Sequence, residues 1–171
     1  MKNILLLIIF LVFSVSVFAQ IIKTNNAYIS FYSYALLENI EAHNYNVECV
    51  FDTVNNQIAF LARITDFDFE KKLMKKHFCE KYMEEEDYPF SSFSGNIYFV
   101  GKNNLEVKGV LEIHGYKKEI TVTANIDKSE KKGIVMKSNF TIELEDFRIK
   151  IPNIVKDNIS KSIEVNVVVK F

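Results

Sequence analysis

Three histidines and two cysteines are the side chains of this sequence best suited to metal binding or nucleophilic catalysis. His77 and Cys79 are the closest pair, but residues two apart lie on different sides of a helix and cannot easily share one ion there. A metal site would have to add His43, Cys49 or His114 from elsewhere in the chain. We therefore expect no metal and no cofactor.

Sequence motifs that assemble a catalytic centre are missing. The chain has no G-x-S-x-G elbow, no H-E-x-x-H, no glycine-rich phosphate loop and no C-x-x-C. A nucleophile needs a base within hydrogen-bond reach, and the sequence nominates no such pair. A binding protein is favoured, an interaction protein comes second, and a hydrolase or metal-dependent enzyme is a distant third.

The two cysteines have a structural interpretation of their own. Cys49 and Cys79 could form a disulfide in an oxidising compartment, but one pair in a domain of this size is not a disulfide framework. We expect two free, buried thiols.

The N-terminus has the three parts of a signal peptide. Lys2 supplies the positive charge, residues 4–13 are an unbroken apolar stretch, and V-F-A ends at a cleavage site after Ala19. The apolar stretch is short for a span of roughly 20 residues and no basic flank follows it, so removal is favoured over a stable membrane anchor. We expect a periplasmic or secreted protein that starts at Gln20.

The remaining residues, 20–171, have the size of one domain. The charge of the full sequence is balanced, with 21 basic and 22 acidic side chains interleaved along it, which argues against nucleic acid as a partner. Fifteen Phe and eight Tyr provide more aromatic surface than a minimal core needs. An apolar cavity is consistent with this composition, and a homodimer is left open.

Alternation of apolar and polar residues dominates the chain outside residues 69–86. This period of two predicts half-buried antiparallel strands joined by short hairpins, with turns such as His114-Gly115. Strands of this number suggest a sandwich or a closed barrel, and the barrel is favoured because closure removes exposed edges. The predicted inward faces are Ile29 and Phe31; Ile58, Phe60, Ala62 and Ile64; Leu105, Val107, Gly109, Leu111 and Ile113; Ile120, Val122, Ala124 and Ile126; Met136, Phe140, Ile142 and Leu144; and Ile163, Val165, Val167, Val169 and Phe171.

The segment 73–99 interrupts this pattern and is the strongest indication of function. It begins with an amphipathic stretch rich in methionine and aromatic residues, breaks at Tyr88-Pro89 and continues as an alternating strand. This predicts a helix that feeds a sheet and covers one mouth of the barrel, beside a binding pocket. The helical face would carry Leu73, Met74, Phe78 and Tyr82, and the strand face Phe93, Gly95, Ile97 and Phe99.

The same segment resembles a known family. L-M-x-x-H-F-x-E-x-Y-M-E at residues 73–84, Tyr88-Pro89 and F-x-G-x-I at 93–97 are similar to the YceI-like family of secreted lipid-binding proteins, in the form common among Bacteroidetes. G-V-L-E-I-H-G at 109–115, F-x-I-x-L-x-D-F-x-I at 140–149 and I-P-x-x-V at 151–155 also resemble that family. The similarity extends in the same order over nearly all of residues 20–171.

This resemblance implies a mainly β fold: one lipocalin-like, eight-stranded antiparallel barrel with a helix between early strands. Its interior would hold a polyisoprenoid or a fatty-acid-type amphiphile. The alternative is an envelope stress or interaction protein whose barrel is filled by its own side chains. Carried over to this chain, the apolar lining would be Met74, Phe78, Phe93, Ile97, Phe99, Phe140, Ile142 and Phe147, with His77 placed to contact a polar headgroup. Ordinary core packing is the alternative role of each.

Overall fold

Alternating strands account for most of this protein, as its sequence pattern predicts. The computed structural model describes residues 21–34, 39–129, 133–152 and 159–171, so the predicted signal peptide lies outside the described residues. The strands within them are β1 Ile21–Ser33, β2 Ile40–Asp52, β3 Gln57–Arg63, β4 Asp68–Phe69, β5 Phe90–Phe99, β6 Asn104–Ile113, β7 Tyr116–Ser129, β8 Gly133–Glu143 and β9 Ser162–Lys170. One short helix, α1, spans Lys72–His77.

Eight of these strands close into an antiparallel barrel. Their order is β1-β9-β8-β7-β6-β5-β3-β2, and β2 pairs with β1 to complete the ring. The two-residue strand β4 lies outside, paired to β2 through Ala42 and Phe69. The predicted fold class, a mainly β eight-stranded barrel with a helix between early strands, is confirmed.

Strand β2 is absent from the inward faces predicted from the sequence. Its alternation is broken: Ala42 and Asn44 are buried, and then the phase shifts so that Val47 and Cys49 are buried. The register against β1 shifts at the same place, which marks a β-bulge. The inward Asn44 is fully buried but satisfied, since its Nδ2 donates to the Arg63 carbonyl at 3.1 Å.

The hairpin between β6 and β7 has the predicted two-residue turn. His114 and Gly115 both have positive φ, 53° and 73°, which matches the twist of the flanking strands. Tyr88 packs on this turn: a Cβ at Gly115 would lie 2.4 Å from its Cε1, and the rings of Tyr88 and His114 are 4.6 Å apart. The Tyr88-Pro89 and I-H-G motifs are therefore in contact.

The helical segment is shorter and less regular than its sequence predicts. After α1 the chain widens into a π-helical turn over Phe78–Tyr82, in which the Met83 amide donates to the Phe78 carbonyl at 2.9 Å. The structure also has two short 3₁₀ turns. Ile64–Asp66 precedes α1 in the chain, and Leu144–Phe147 follows β8. Within the described residues, no helix is long and apolar enough to cross a membrane.

The two ends of the barrel differ. At the end that carries the β2–β3, β5–β6 and β7–β8 connections, inward side chains pack into a solid floor, which we call the closed end. Val47, Phe51, Leu105 and Ile126 in this floor are each 4% exposed or less. At the opposite end, the segments 64–89 and 144–152 cross the mouth. The space between floor and mouth is where a ligand could lie.

Candidate ligand-binding cavity

The barrel encloses a cavity of about 510 Å³ between its floor and its mouth. This volume lies within the usual range of roughly 300–1,000 Å³ for small-molecule sites. Seven of the eight barrel strands each contribute two or more inward-facing apolar side chains, and these follow directly from the period of two. They are Ile29 and Phe31 (β1); Ile58, Phe60 and Ala62 (β3); Phe93 and Ile97 (β5); Val107, Leu111 and Ile113 (β6); Ile120, Val122 and Ala124 (β7); Met136, Phe140 and Ile142 (β8); and Ile163, Val165, Val167 and Val169 (β9).

Strand β2 contributes only Ile40 at the mouth. Val47, Cys49 and Phe51 in the second half of the strand pack in the floor, and the bulge sets which residues of that half face inward.

The helical segment forms the roof of the cavity. Met74 and His77 line it from α1, Phe78 and Tyr82 line it from the π-helical turn, and Met83 lines it directly after that turn. The wider π turn keeps Phe78 and Met83 on one face although they are five residues apart. The flexible side chains of Met74 and Met83 can adapt to ligands of irregular apolar shape.

A cluster of four phenylalanines fastens this roof to the wall. The ring of Phe78 contacts the rings of Phe31 in β1, Phe67 just before β4, and Phe69 in β4. Its centroid lies 5.3, 5.6 and 5.1 Å from theirs, in that order. Such aromatic pairs contribute about 0.5–1.5 kcal/mol each beyond the area they bury. The roof is thus held by side chains that also line the cavity.

Polar atoms are sparse in the lining. Among the described lining residues, nitrogen or oxygen side-chain atoms belong to Ser33, His77, Tyr82, Ser91, Lys137 and Ser138. Burial raises the pKa of the Tyr82 hydroxyl, so this group is neutral at ordinary pH. An apolar chain would therefore meet few groups that need hydration.

Seven of the nine residues predicted for the site line the cavity: Met74, His77, Phe78, Phe93, Ile97, Phe140 and Ile142. Their contact with a ligand stays a prediction. The other two, Phe99 and Phe147, do not line the cavity, so the prediction is wrong for them.

Phe99 is the last residue of β5, beyond the floor at the closed end. It is 51% exposed, and the Lys128 ammonium lies 5.6 Å from its ring centroid. Alternation alone places Phe99 on the face of Ile97, but the floor separates it from the cavity.

Phe147 is fully buried beside the cavity instead of facing it. It packs in a second apolar cluster with Cys79 and Leu111, and its carbonyl lies 3.3 Å from His114 Nδ1. Its neighbours Leu144 and Ile149 reach the cavity.

The prediction from sequence missed several lining residues outside the barrel strands, namely Phe67, Phe69 of β4, Met83, Ile151 and Ile159. The high density of phenylalanine between residues 60 and 78 is the one sequence feature that pointed to Phe67 and Phe69. It does not show that they face the cavity, because they lie in elements too short to display a hydrophobic period.

The histidines and cysteines do not come together. His43 Nδ1 bonds the Tyr28 hydroxyl at 2.7 Å on the outer wall, whereas His114 lies at the β6–β7 turn. Cys49 and Cys79 are free and buried, and burial raises the pKa of Cys49 to about 12. The described part of the chain contains no group of three potential metal ligands.

The comparison with known families decides the classification. A model of the YceI-like domain matches residues 21–171. The chain belongs to the YceI-like family. This confirms the family predicted from the motifs of the helix and hairpins. No curated protein matches the YceI-like chain in sequence.

Solved structures similar to this YceI-like chain share its fold at low sequence identity. BcnA of Burkholderia cenocepacia has a TM-score of 0.73 at 16% identity, over 84% of this chain and 96% of BcnA. A polyisoprenoid binding domain from Saccharophagus degradans has a TM-score of 0.74 at 12% identity, over 88% of this chain and 96% of that domain. The YceI protein of Campylobacter jejuni scores 0.67 at 20% identity, over 81% and 87% of the two chains.

Proposed function

We propose that this protein binds one long apolar molecule, a polyisoprenoid or a fatty-acid-type amphiphile, inside its barrel and acts without turnover. The observation that carries this proposal is the cavity of about 510 Å³ with an almost wholly apolar lining. Each Å² of apolar surface removed from water is worth roughly 25 cal/mol, so an acyl or isoprenoid chain can be held without any charged centre. The name of the domain from Saccharophagus degradans, a polyisoprenoid binding domain, supports the same ligand class.

The volume of the cavity also separates this proposal from its alternative. An envelope stress or interaction protein with no bound lipid would fill its barrel with side chains, since protein interiors are close-packed. Here the inward side chains leave open space between floor and roof. Ligand binding is therefore favoured.

The proposed place of action is the periplasm or the medium. The charged and apolar parts of residues 1–19 support export with cleavage after Ala19. N-terminal sequencing of protein recovered from the periplasm should begin at Gln20. Recovered protein that still carries Met1 would contradict export with cleavage.

Two neighbouring positions on α1 provide a matched test of ligand binding. Met74 lines the cavity, whereas Leu73 beside it is 64% exposed. Met74→Glu would place an unpaired charge against the ligand, which costs several kcal/mol, so we expect at least a tenfold loss of affinity for a fluorescent fatty acid. Leu73→Glu should leave the affinity unchanged.

Both variants would be compared by thermal melting to show that they fold. Equal affinities of folded Met74→Glu and wild-type protein would remove the roof from the site. Failure of the wild-type protein to take up either a fatty-acid or an isoprenoid probe would contradict the proposed function itself.

A further inference from the structure

The ladder between β7 and β8 ends half-way up the barrel. Cross-strand pairs run from Ser129 with Gly133 to Ala124 with Ser138, and then stop. Residues 116–123 and 139–143 are all described, and they do not pair with each other. Both strands nevertheless remain paired on their other sides, β7 with β6 as far as Tyr116 and β8 with β9 as far as Glu143. The wall therefore has a gap, which we call the side opening, between residues 119–123 and 139–143.

Polar side chains hold both ends of the side opening. At the lower end, where the ladder stops, Ser138 Oγ donates to the Thr123 carbonyl at 2.7 Å. At the upper end, the Lys118 ammonium pairs with the Asp146 carboxylate across the gap. The opening is thus bounded by specific contacts on two strands and a turn, and it is a built feature of the barrel.

The cavity reaches this side opening. Ile120 and Val122 from β7, with Phe140 and Ile142 from β8, line the cavity and flank the gap. All four are half-buried and belong to the two edges that the β7–β8 ladder leaves unpaired.

Lys137 lies one residue below the end of the β7–β8 ladder and is among the residues that line the cavity. Alternation directs Met136 and Ser138 inward and Lys137 outward, and Lys137 is the one exposed residue among the described residues that line the cavity. An outward residue contributes to an interior cavity where that cavity meets the surface. Its partners in the adjacent strands are Asn125 and Val168, which carry no charge. No carboxylate of the described residues lies within ion-pairing distance of its ammonium.

We infer that the polar end of the ligand leaves the barrel through the side opening and lies beside Lys137, an inference that rests on the proposed binding function. The site then takes amphiphiles whose long apolar chain ends in an anion, a carboxylate or a phosphate. An anion kept inside this cavity would lose its hydration with few polar groups to replace it. At the side opening it stays hydrated and meets a cation, while the chain remains inside.

Paired ligands that differ only in charge test this inference. Hexadecanoate and hexadecanol have the same chain length, as do farnesyl phosphate and farnesol, so the two pairs separate a carboxylate from a phosphate. Lys137→Glu should weaken binding of the charged member of at least one pair roughly five- to tenfold, because a surface attraction becomes a repulsion. It should leave both alcohols unchanged, and added salt should reduce the difference. Lys128→Glu is the control, because Lys128 is an exposed lysine of β7 whose position is paired with Ile134 of β8.

A bulky label tests the opening without changing its charge. Thr141 faces outward on the β8 side of the gap, and Asn96 faces outward on β5, which is paired on both sides. Thr141→Cys carrying a polyethylene glycol maleimide should slow ligand uptake at least severalfold, whereas the same label on Asn96→Cys should not. The native cysteines are buried and should stay unlabelled in the folded protein.

The outcomes separate the side opening from the roof. Equal effects of Lys137→Glu on acids and alcohols, or no effect on either, would overturn the inference and leave the binding function standing. Selective loss of the acids in His77→Gln, with Lys137→Glu unaffected, would place the polar end under the roof and also overturn it. Wild-type protein that binds none of the four ligands would contradict both proposals.

Discussion

Gly95 and Gly109 face each other across β5 and β6, and the ring of Phe93 occupies the space beside both. A Cβ at Gly95 would lie 2.8 Å from Phe93 Cζ and 2.5 Å from the Lys108 carbonyl oxygen. A Cβ at Gly109 would lie 2.7 Å from the same ring atom. Because Phe93 lines the cavity, this glycine pair determines the position of one of the largest side chains in the lining.

Alanine at either glycine should therefore destabilise the barrel. Gly95→Ala and Gly109→Ala each force a methyl group against backbone and ring, and overpacking of this kind costs about 1–3 kcal/mol of unfolding free energy. Gly101 is the control, because a Cβ there meets no atom closer than 3.8 Å. Urea denaturation measures the three variants. Wild-type stability in Gly95→Ala would show that the strands can separate at no cost.

The two cysteines should be inert in the folded protein. Burial raises the pKa of the Cys49 thiol to about 12, and burial is also the main cause of the raised pKa of Cys79, with the Glu85 charge adding to it. Because the reactive thiolate is disfavoured, iodoacetamide at pH 8 should label both residues in urea and neither in buffer. Mass spectrometry counts the labels. A labelled native protein would show that these sites open readily.

The same pKa shift predicts an alkaline loss of stability. The unfolded thiol titrates near 8.5, so Cys49 contributes its full stability below that pH and loses it as the pH rises towards about 12. The free energy of unfolding should fall over this window. Replacement by an apolar residue, Cys49→Val, should make the fall shallower. An unchanged slope would mean that other groups cause it.

Removal of metal should have no effect. The described residues contain no cluster of metal ligands, and the lining of the cavity is apolar. EDTA should leave both the melting temperature and the affinity for a fatty-acid probe unchanged, since a structural metal would add its binding energy to folding. A drop in melting temperature together with a stoichiometric transition metal in elemental analysis would contradict this prediction.

The walls of the barrel could be predicted from the sequence because one physical rule fixes them. A period of two places Ile120, Val122 and Phe140 on the inner face whatever the rest of the chain does. The same rule failed for β2, where the bulge after Asn44 shifts the phase and an inward amide replaces an apolar residue. It also failed for Phe99, because alternation gives the face of a residue and not its height in the barrel.

The side opening lies beyond what local patterns can predict. Apolar and polar residues alternate in 116–123 and 139–143 as regularly as in any paired strand. Neither sequence indicates that the two segments do not pair with each other. At the upper end of the gap, Asp146 of the turn at Leu144–Phe147 pairs with Lys118 of β7. Such a contact between distant segments exists only in the folded chain.

Native mass spectrometry of the purified protein, before and after organic extraction, tests the central claim most directly. We expect one amphiphile for each chain before extraction, its loss on extraction, and its return when one equivalent of hexadecanoate or farnesyl phosphate is added to the folded protein. The cavity of about 510 Å³ has room for a single chain of this kind, so a second equivalent should not bind. A folded protein that carries no small molecule and takes up neither ligand in excess would contradict the account.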